Sequence, residues 1–159
     1  MALFEYFPNY IWNLSVSIAI QSGAEMGEII DMCQPIKDAA ANGADAGTPQ
    51  FMAEWAKMAE KLDGLAQEDL DKGRKFSAGD KLRRAALYYI TAERMQGHGH
   101  PGREETFAKG LNAFNKYVEF SGEDCQRVEI PYQGKVIPAY FTRAEGVEGE
   151  APCVIFTNG

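Results

Sequence analysis

The chain has few of the residues on which several classes of protein depend. Its three cysteines, Cys33, Cys125 and Cys153, are odd in number and far apart. They fit neither a disulfide framework nor the ligand spacing of a metal site, and they are typical of a reducing, intracellular compartment. The formal net charge is −7 and no long basic cluster interrupts it. Such an acidic chain is a poor partner for nucleic acid or for an anionic membrane.

A targeting or membrane-spanning pattern is also missing. No Lys or Arg precedes the apolar stretch at 10–20, whereas a signal peptide begins with positive charge. The stretch is too short, and too rich in Asn and Ser, to cross a bilayer. We therefore expect a cytoplasmic protein.

The familiar catalytic motifs are absent as well. There is no G-x-S-x-G, so no nucleophile elbow can be assigned. The glycines lack the setting of a phosphate-binding loop, with a strand before and a helix after. His98 and His100 flank Gly99 in a predicted exposed loop, but no further ligands complete a metal site. Nothing in the sequence requires a metal or another cofactor.

Helical patterns fill most of the chain. Hydrophobic residues make up 45% of it, which is enough for a core. The strongest start signal is Thr48-Pro49, an N-cap followed by proline at the first helical position. Pro35 is expected to bend or end the second helix, and Ser77, three residues before Asp80, is a weak capping box. The predicted helices cover 10–20, 23–41, 48–72, 77–96 and 103–120.

The spacing of apolar residues predicts which face of each long helix is buried. The predicted inner residues are Phe51, Trp55, Met58, Leu62 and Leu65 in the third helix, Leu82, Ala85, Ala86, Tyr89 and Ala92 in the fourth, and Phe107, Leu111, Phe114 and Val118 in the fifth.

The spacing of the hydrophobic residues changes after Gly122 from a helical to a strand-like period. Apolar and polar residues alternate from Cys125, and Gln133-Gly134 predicts a turn before a second strand at 136–142. Pro138 places that strand near a sheet edge. We therefore predict two domains: a helical one at 1–122 and a β-containing one at 123–159.

The last eight residues are the most informative. Pro152 opens a short apolar run of β-branched and aromatic residues that stops at Asn158-Gly159. This pattern predicts a buried strand that leads into a tight turn. A strand buried on both faces needs neighbours and covering helices. We therefore expect the chain to be the front part of a larger α/β protein.

Aromatic side chains are the candidates for substrate contact. Tyr10, Trp12, Tyr88 and Tyr89 could line a cavity, although such residues at helical spacing are more often core. Adjacent residues point about 100° apart on a helix. We therefore expect only one of Tyr88 and Tyr89 to face a helix pair squarely, and the other to face a cavity or a partner domain.

Several separate stretches, taken together, resemble one family. The chain resembles the α/β-hydrolases with an N-terminal helical cap, the group that contains 2,6-dihydropseudooxynicotine hydrolase, the FrsA-like esterases and fungal polyketide-processing hydrolases. The stretches are Gly23-Ala24-Glu25 with Glu28-Ile29, Glu54-Trp55, Leu82-Arg83-Arg84-Ala85 with Tyr88-Tyr89 and Ala92-Glu93, Arg127-Val128-Glu129-Ile130-Pro131 with Gly134, and Val154-Ile155-Phe156 with Asn158-Gly159.

The resemblance implies a fold and a chemistry. It implies a helical cap (1–122) followed by a β-hairpin and the first buried strand of a hydrolase sheet. It also implies a Ser-Asp-His triad outside this chain and an oxyanion-hole loop that begins near Asn158 and Gly159. Asn158 departs from the His or Gly that is common there, which puts the geometry of the hole in doubt.

The implied enzyme cleaves an ester, or a C–C bond beside a carbonyl, in a hydrophobic and polyketide-like small molecule. Its expected partners are this substrate, the remainder of the hydrolase domain and a second copy in a homodimer. The alternative is a tetratricopeptide-like interaction module without catalytic activity, because paired helices with small contact residues have a similar pattern. A repeat period near 34 residues would favour that alternative, and none is visible.

Overall fold

The computed structural model describes residues 5–41 and 47–157. The chain divides into two compact units, Met1–Gly122 and Glu123–Gly159. Helices make up the first unit and a β-hairpin the second. The described elements are α1 (Tyr10–Gln21), α2 (Met26–Ala41), α3 (Gly47–Asp71), α4 (Lys75–Arg94), α5 (Arg103–Phe120), β1 (Cys125–Tyr132) and β2 (Lys135–Thr142).

All the predicted helices are confirmed, including α1. Asn9 is the reason that a helix begins there. Its side chain accepts hydrogen bonds from the backbone N–H groups of Ile11 and Trp12, at 2.9 and 3.3 Å. This N-cap satisfies donors that the first helical turn would otherwise leave unpaired. None of the described helices has the length and hydropathy needed to cross a bilayer.

A tight glycine turn reverses the chain between α3 and α4. Gly73 has a φ of +73°, in the region that favours glycine. Its N–H donates to Leu70 O at 2.9 Å, and the N–H of Arg74 donates to Asp69 O at 2.8 Å. These two bonds form a Schellman motif, which satisfies the last carbonyls of α3.

The fourth helix lies at the centre of the first unit. It packs along α3 on one side and α5 on the other, and it also contacts α1. Small residues allow these close approaches. A Cβ added at Gly110 of α5 would lie only 3.1 Å from Tyr89 Cβ and 3.0 Å from Ile90 Cδ1. The α4 inner face predicted from the sequence is confirmed as buried.

Aromatic rings run through the core from α1 to α4. Phe7 meets Trp12 edge-on at 5.4 Å between centroids, and Trp12 lies 6.0 Å from Phe51. Phe51 stacks on Trp55 at 5.0 Å, and Trp55 meets Tyr88 edge-on at 5.7 Å. Such offset and edge-to-face contacts stabilise a core beyond the area they bury. The largest fully buried side chains of the described residues are also aromatic, namely Trp55, Tyr88, Tyr89 and Phe51.

The prediction that Pro35 bends or ends α2 early is wrong in one respect. The helix continues through Pro35 to Ala41. Proline inside a helix removes one hydrogen bond and costs roughly 3 kcal/mol. Buried side chains on both sides of it, Met32, Cys33 and Ile36, anchor the helix to the core and offset this cost.

The predicted inner face of α5 is partly wrong. Phe107 and Leu111 are exposed, whereas Thr106, Gly110 and Ala113 are buried. The small residues face α4 because they allow the two helices to approach closely, which turns the large side chains outward. In α3 Leu65 is likewise exposed, and Ala66 takes its place in the core.

The second unit contains the predicted hairpin. Strands β1 and β2 pair antiparallel, and Gln133 and Gly134 form the turn with φ values of 47° and 72°. Positive φ at both positions is the geometry of a type I′ turn. The register places Val128 opposite Ala139 and Ile130 opposite Ile137.

The predicted buried strand after the hairpin is not formed. Residues 151–157 are in neither a helix nor a strand. Val154, Ile155 and Phe156 are 71%, 84% and 90% exposed. A strand needs a neighbour to pair its N–H and C=O groups, and the described part of the chain pairs none with this segment.

Candidate functional site

Three polar side chains meet where the first turn of α2 faces α4. The Glu28 carboxylate accepts hydrogen bonds from the Tyr88 hydroxyl at 2.5 Å and from Arg84 Nε at 3.1 Å. The Tyr88 oxygen accepts a hydrogen bond from the backbone N–H of Glu25 at 3.1 Å. We call Glu28, Arg84 and Tyr88 the Glu28 cluster. It ties the beginning of α2 to the middle of α4.

The electrostatics of the Glu28 cluster favour a structural role. Burial, reinforced by the hydrogen bond to Glu28, raises the pKa of Tyr88 above the usual range of a phenol. Burial opposes the charge on Arg84, but Glu28 and Asp80 more than compensate and raise its pKa. The cluster therefore contains a neutral phenol and a guanidinium paired with two carboxylates. It positions helices and is poorly suited to proton transfer near neutral pH.

Separate stretches of the hydrolase resemblance meet at the Glu28 cluster. Arg83 donates hydrogen bonds of 3.3 Å to the carbonyls of Ser22 and Gly23. Gly23 has a φ of +93°, and a Cβ there would overlap Arg83 Nη1. Trp55, from another of these stretches, contacts the Tyr88 ring. Residues about 30 to 60 positions apart are thus one contact network, which gives the pattern a physical basis.

The structure separates the four aromatics that we predicted as substrate contacts. Tyr10 is exposed at the beginning of α1, whereas Trp12, Tyr88 and Tyr89 are buried in the helical core. Burial raises the pKa of Tyr89 to about 12, and Asp63 and Glu60 add to this effect. A substrate role for these residues stays a prediction.

The expectation that only one of Tyr88 and Tyr89 faces the interior is wrong. Tyr88 points toward α2 and Trp55, and Tyr89 lies against Gly110 of α5. Both rings are buried because α4 has neighbouring helices on more than one side. No pattern in the sequence indicates that α4 has helices on more than one side.

A cavity of about 580 Å³ lies beside the loop between α4 and α5. Its polar lining includes an ion pair of 2.8 Å between Arg103 Nε and Glu93, which is buried. Arg103 Nη1 also lies 3.3 Å from His98 Nδ1. A guanidinium always donates, so this nitrogen of His98 is the acceptor and its Nε2 has the proton when the ring is neutral.

The same loop holds His100, whose Nδ1 lies 2.8 Å from Pro101 O and donates to it. The imidazoles are therefore engaged locally and do not converge on one point. Within the described residues no group of three or more His, Cys, Asp or Glu side chains could hold a metal ion.

A second cavity, of about 660 Å³, lies within the second unit. It is bordered by the end of β2 and by the segment that follows it, with Tyr140, Arg143, Val147, Cys153 and Phe156 among its lining residues. This is an open groove beside exposed apolar side chains. It has the character of an incomplete sheet layer more than of a ligand pocket.

Ser77, which the sequence suggested only as a helix cap, lies beside the α3–α4 turn among polar side chains. Ser77 donates to Asp69 Oδ2 at 2.7 Å, and Lys81 Nζ lies 2.7 Å from the same oxygen and 2.9 Å from Ser77 Oγ. The predicted capping role of Ser77 is wrong, because α4 begins at Lys75 and the hydroxyl bonds Asp69. The Lys81 and Ser77 hydrogen bonds lower the pKa of Asp69 to about 2. Lys81 Nζ donates to Asp69 and to Ser77, so this geometry does not present it as a base to the Ser77 hydroxyl.

Cys33 is the buried thiol of the chain's core. Burial raises its pKa to about 12, although the nearby Trp55 indole opposes the shift. A thiol with such a pKa is a poor nucleophile at neutral pH. Asn158 and Gly159, the predicted beginning of an oxyanion-hole loop, lie outside the described residues.

Comparison with known proteins gives two distant relatives. No protein-family model matches the chain. The chain is 25% identical to "Alpha/beta hydrolase psoB" of Aspergillus fumigatus over 130 residues, which are 79% of this chain and 28% of that protein. It is 22% identical to "Alpha/beta hydrolase gkaG" of Penicillium citrinum over 167 residues, which cover 100% of this chain and 38% of that protein.

These relatives support a relationship to the α/β-hydrolases, which agrees with the resemblance found in the sequence. The chain spans between 28% and 38% of the length of the two relatives. The helical unit and the two-stranded sheet are compatible with part of such a hydrolase.

Proposed function

We propose that this chain forms the cap and the first strands of a serine-type α/β-hydrolase. The observation that supports this proposal best is the alignment of the entire chain with a relative named as an α/β-hydrolase. In the proposal, 1–122 is the helical cap and 123–159 belongs to the hydrolase core. The substrate is a hydrophobic, polyketide-like small molecule with an ester or a C–C bond next to a carbonyl.

The second unit gives physical support to this proposal. The register of the hairpin places its apolar residues on one face, where Val128 and Ala139 are opposite and Ile130 and Ile137 are opposite. Ile130 and Ile137 are exposed. A two-stranded hairpin is marginally stable in water unless further strands or a helix cover its apolar face. A larger hydrolase sheet with its helices would provide that cover.

The proposed chemistry uses a Ser-Asp-His triad that the proposal places outside this chain. A serine oxygen would attack the substrate carbonyl, a histidine would take the serine proton, and backbone N–H groups would bind the oxyanion. The cap described here would cover the reacting carbonyl and select apolar substrates. The Glu28 cluster would hold the first helices of the cap in place.

The repeat-protein alternative has less support. A repeat array stacks units of equal length. The described helices have 12, 16, 25, 20 and 18 residues. In addition, α1 contacts α4, which is not its neighbour in the sequence. These features favour a cap over an array.

A fluorophosphonate probe tests the proposal. The 159-residue chain should show no labelled serine, because it contains no G-x-S-x-G. A protein extended by the codons that follow Gly159, to the end of the reading frame, should contain a G-x-S-x-G, should be labelled stoichiometrically and should hydrolyse apolar esters. Stoichiometric labelling of the 159-residue chain, or an extended frame without this motif, would contradict the proposal.

A further inference from the structure

The turn between α3 and α4 has adjacent basic residues in a chain of net charge −7. Arg74 and Lys75 are both exposed, and they precede Ser77 by three and two residues. Of all the serines and threonines in the sequence, only Ser77 has basic residues at both of these places. Protein kinases select substrates partly by charge patterns, and one class of them prefers basic residues at these two places. The pattern therefore indicates a substrate segment for a kinase of that class.

The beginning of α4, where Ser77 lies, is weakly held. Arg74 is the N-cap residue, and its side chain makes no capping hydrogen bond, whereas Ser, Asp or Asn is the stabilising choice at that position. Phe76, in the first turn, is 81% exposed, so little of its ring is anchored in the core. Ser77 itself is partly exposed. A helix end of this kind opens locally at low cost, which gives a kinase access to the serine in an unwound segment.

The surroundings of the Ser77 hydroxyl would respond to an added charge. The hydroxyl donates to Asp69 Oδ2 at 2.7 Å, and Lys81 Nζ lies 2.9 Å from Ser77 Oγ. Arg74 Nη1 lies 3.6 Å from Asp69 Oδ1. A carboxylate of α3 and two cations at the beginning of α4 therefore share one network. This network ties the two helices together across their turn.

We propose that Ser77 is a phosphorylation site for a kinase that recognises Arg74 and Lys75, and that the phosphate releases Asp69 from α4. The γ-phosphoryl group of ATP is transferred to Ser77 Oγ. The Oγ–P bond forms, the bond from the γ-phosphorus to the ADP oxygen breaks, and the hydroxyl proton passes to the carboxylate base of the kinase. The inference goes beyond the hydrolase proposal and does not depend on it.

The expected effect of the phosphate follows from its charge. A phosphoserine carries about −1.5 to −2 charges at pH 7 and has three acceptor oxygens. Lys81, four residues further along the helix, lies on the same face, and the positive end of the α4 dipole is close. Asp69, with a pKa of about 2, is ionised at neutral pH and is repelled. Lys81 and Arg74 therefore exchange the carboxylate for the phosphate, and the bonds across the turn are lost.

Phosphorylation in vitro tests the site. The full chain is incubated with the catalytic subunit of cAMP-dependent protein kinase and Mg-ATP, and the product is mapped by mass spectrometry. We expect a single phosphate on Ser77 and none on the Ser77→Ala chain. Arg74→Ala should slow incorporation by roughly tenfold, because it removes a recognition charge. Arg143→Ala, which removes an exposed arginine of the second unit, should leave the rate unchanged. Equal rates for these two variants would contradict the proposal.

A synthetic peptide of residues 70–80 separates recognition from access. If the peptide is phosphorylated and the folded chain is not, Ser77 is closed in the native fold and the proposal is wrong. If neither is phosphorylated, the basic residues do not direct the kinase, and the proposal is wrong as well. Phosphorylation of both supports it.

Urea unfolding at neutral pH tests the release of Asp69. Phosphorylated and unmodified forms are compared for the wild type and for Asp69→Asn. The phosphate should lower the midpoint more in the wild type, because only there does a carboxylate face it. Asp71→Asn removes an exposed carboxylate two residues away and should respond like the wild type. Equal shifts in the wild type and in Asp69→Asn would overturn the proposed release.

Discussion

At the scale of single residues, Asp69 joins the end of α3 to the beginning of α4. Its carboxyl pKa falls from 3.8 to about 2 in the folded chain, first through the Lys81 hydrogen bond and then through Ser77. A lowered pKa means that the folded state binds this proton less tightly than the unfolded state. The stability from Asp69 is therefore fully present above about pH 4 and is lost as the pH falls toward 2.

We expect Asp69→Asn to lower the urea midpoint at about pH 5 and to reduce its change between about pH 4 and 2. The control is Asp71→Asn, which removes an exposed carboxylate two residues away and should keep the wild-type pH dependence. Equal pH dependence in Asp69→Asn and the wild type would show that the Asp69 network does not contribute to folding.

Trp55 tests the aromatic core at the same scale. Its ring is fully buried between Phe51 and Tyr88. Trp55→Ala should lower the free energy of unfolding by about 3–5 kcal/mol. Phe76→Ala, which removes a largely exposed ring, should change it by less than about 0.5 kcal/mol. A loss below about 1 kcal/mol for Trp55→Ala in denaturant melts would contradict its place in the core.

At the scale of elements, the contact between α4 and α5 depends on one glycine. A Cβ at Gly110 would lie 3.0–3.2 Å from Ile90 and Tyr89, and Tyr89 Cβ is next to the backbone and cannot easily move. Gly64 in α3 has nothing within 4 Å of the same position. These two helical glycines form a matched pair.

Gly64→Ala should raise the free energy of unfolding by up to about 1 kcal/mol, because alanine is the better helix former. Gly110→Ala gains the same propensity but crowds α4, so we expect a net loss of about 1 kcal/mol. Thermal or denaturant unfolding of both variants measures these changes in the free energy of unfolding. Equal stabilisation by the two substitutions would mean that α4 and α5 can separate at no cost.

The sequence predicts those features of an element that depend on a few adjacent residues, such as its boundaries. Thr48-Pro49, Gly73 and Gln133-Gly134 are local signals, and the helix and hairpin boundaries they predict agree with the structure to within a few residues. The buried face of α5 is not a local property. The pattern of large residues suggested Phe107 and Leu111, but close helix packing buries small residues instead.

The contacts within the candidate site are even less predictable from local sequence patterns. The hydrogen bonds of the Glu28 cluster join residues about 60 positions apart, so no local pattern predicts them. The stretches that carry the family resemblance contain these residues, but they do not indicate the contacts between them. One sequence signal was available for Ser77. It follows the glycine turn and lies only eight residues after Asp69, a separation short enough for the two side chains to meet across that turn.

At the scale of the whole molecule, the second unit exposes more apolar surface than a small β-structure can leave in water. Its described strands are both sheet edges, because each has only one neighbour. Beyond them Val154, Ile155 and Phe156 form an uncharged, almost fully exposed run. Unpaired backbone beside such residues is a template for pairing with another chain.

We therefore expect the 159-residue chain to form species larger than a dimer through 153–157. Strand pairing of this kind is open-ended, because each added strand leaves a new unpaired edge. Ile155→Lys should remove the larger species, because a buried unpaired lysine opposes strand stacking. Val147→Lys, at an exposed apolar residue before that segment, is the control and should change little. Sedimentation velocity at increasing concentration measures both. If the wild-type chain forms nothing larger than a dimer, this segment is already covered and is not an open edge.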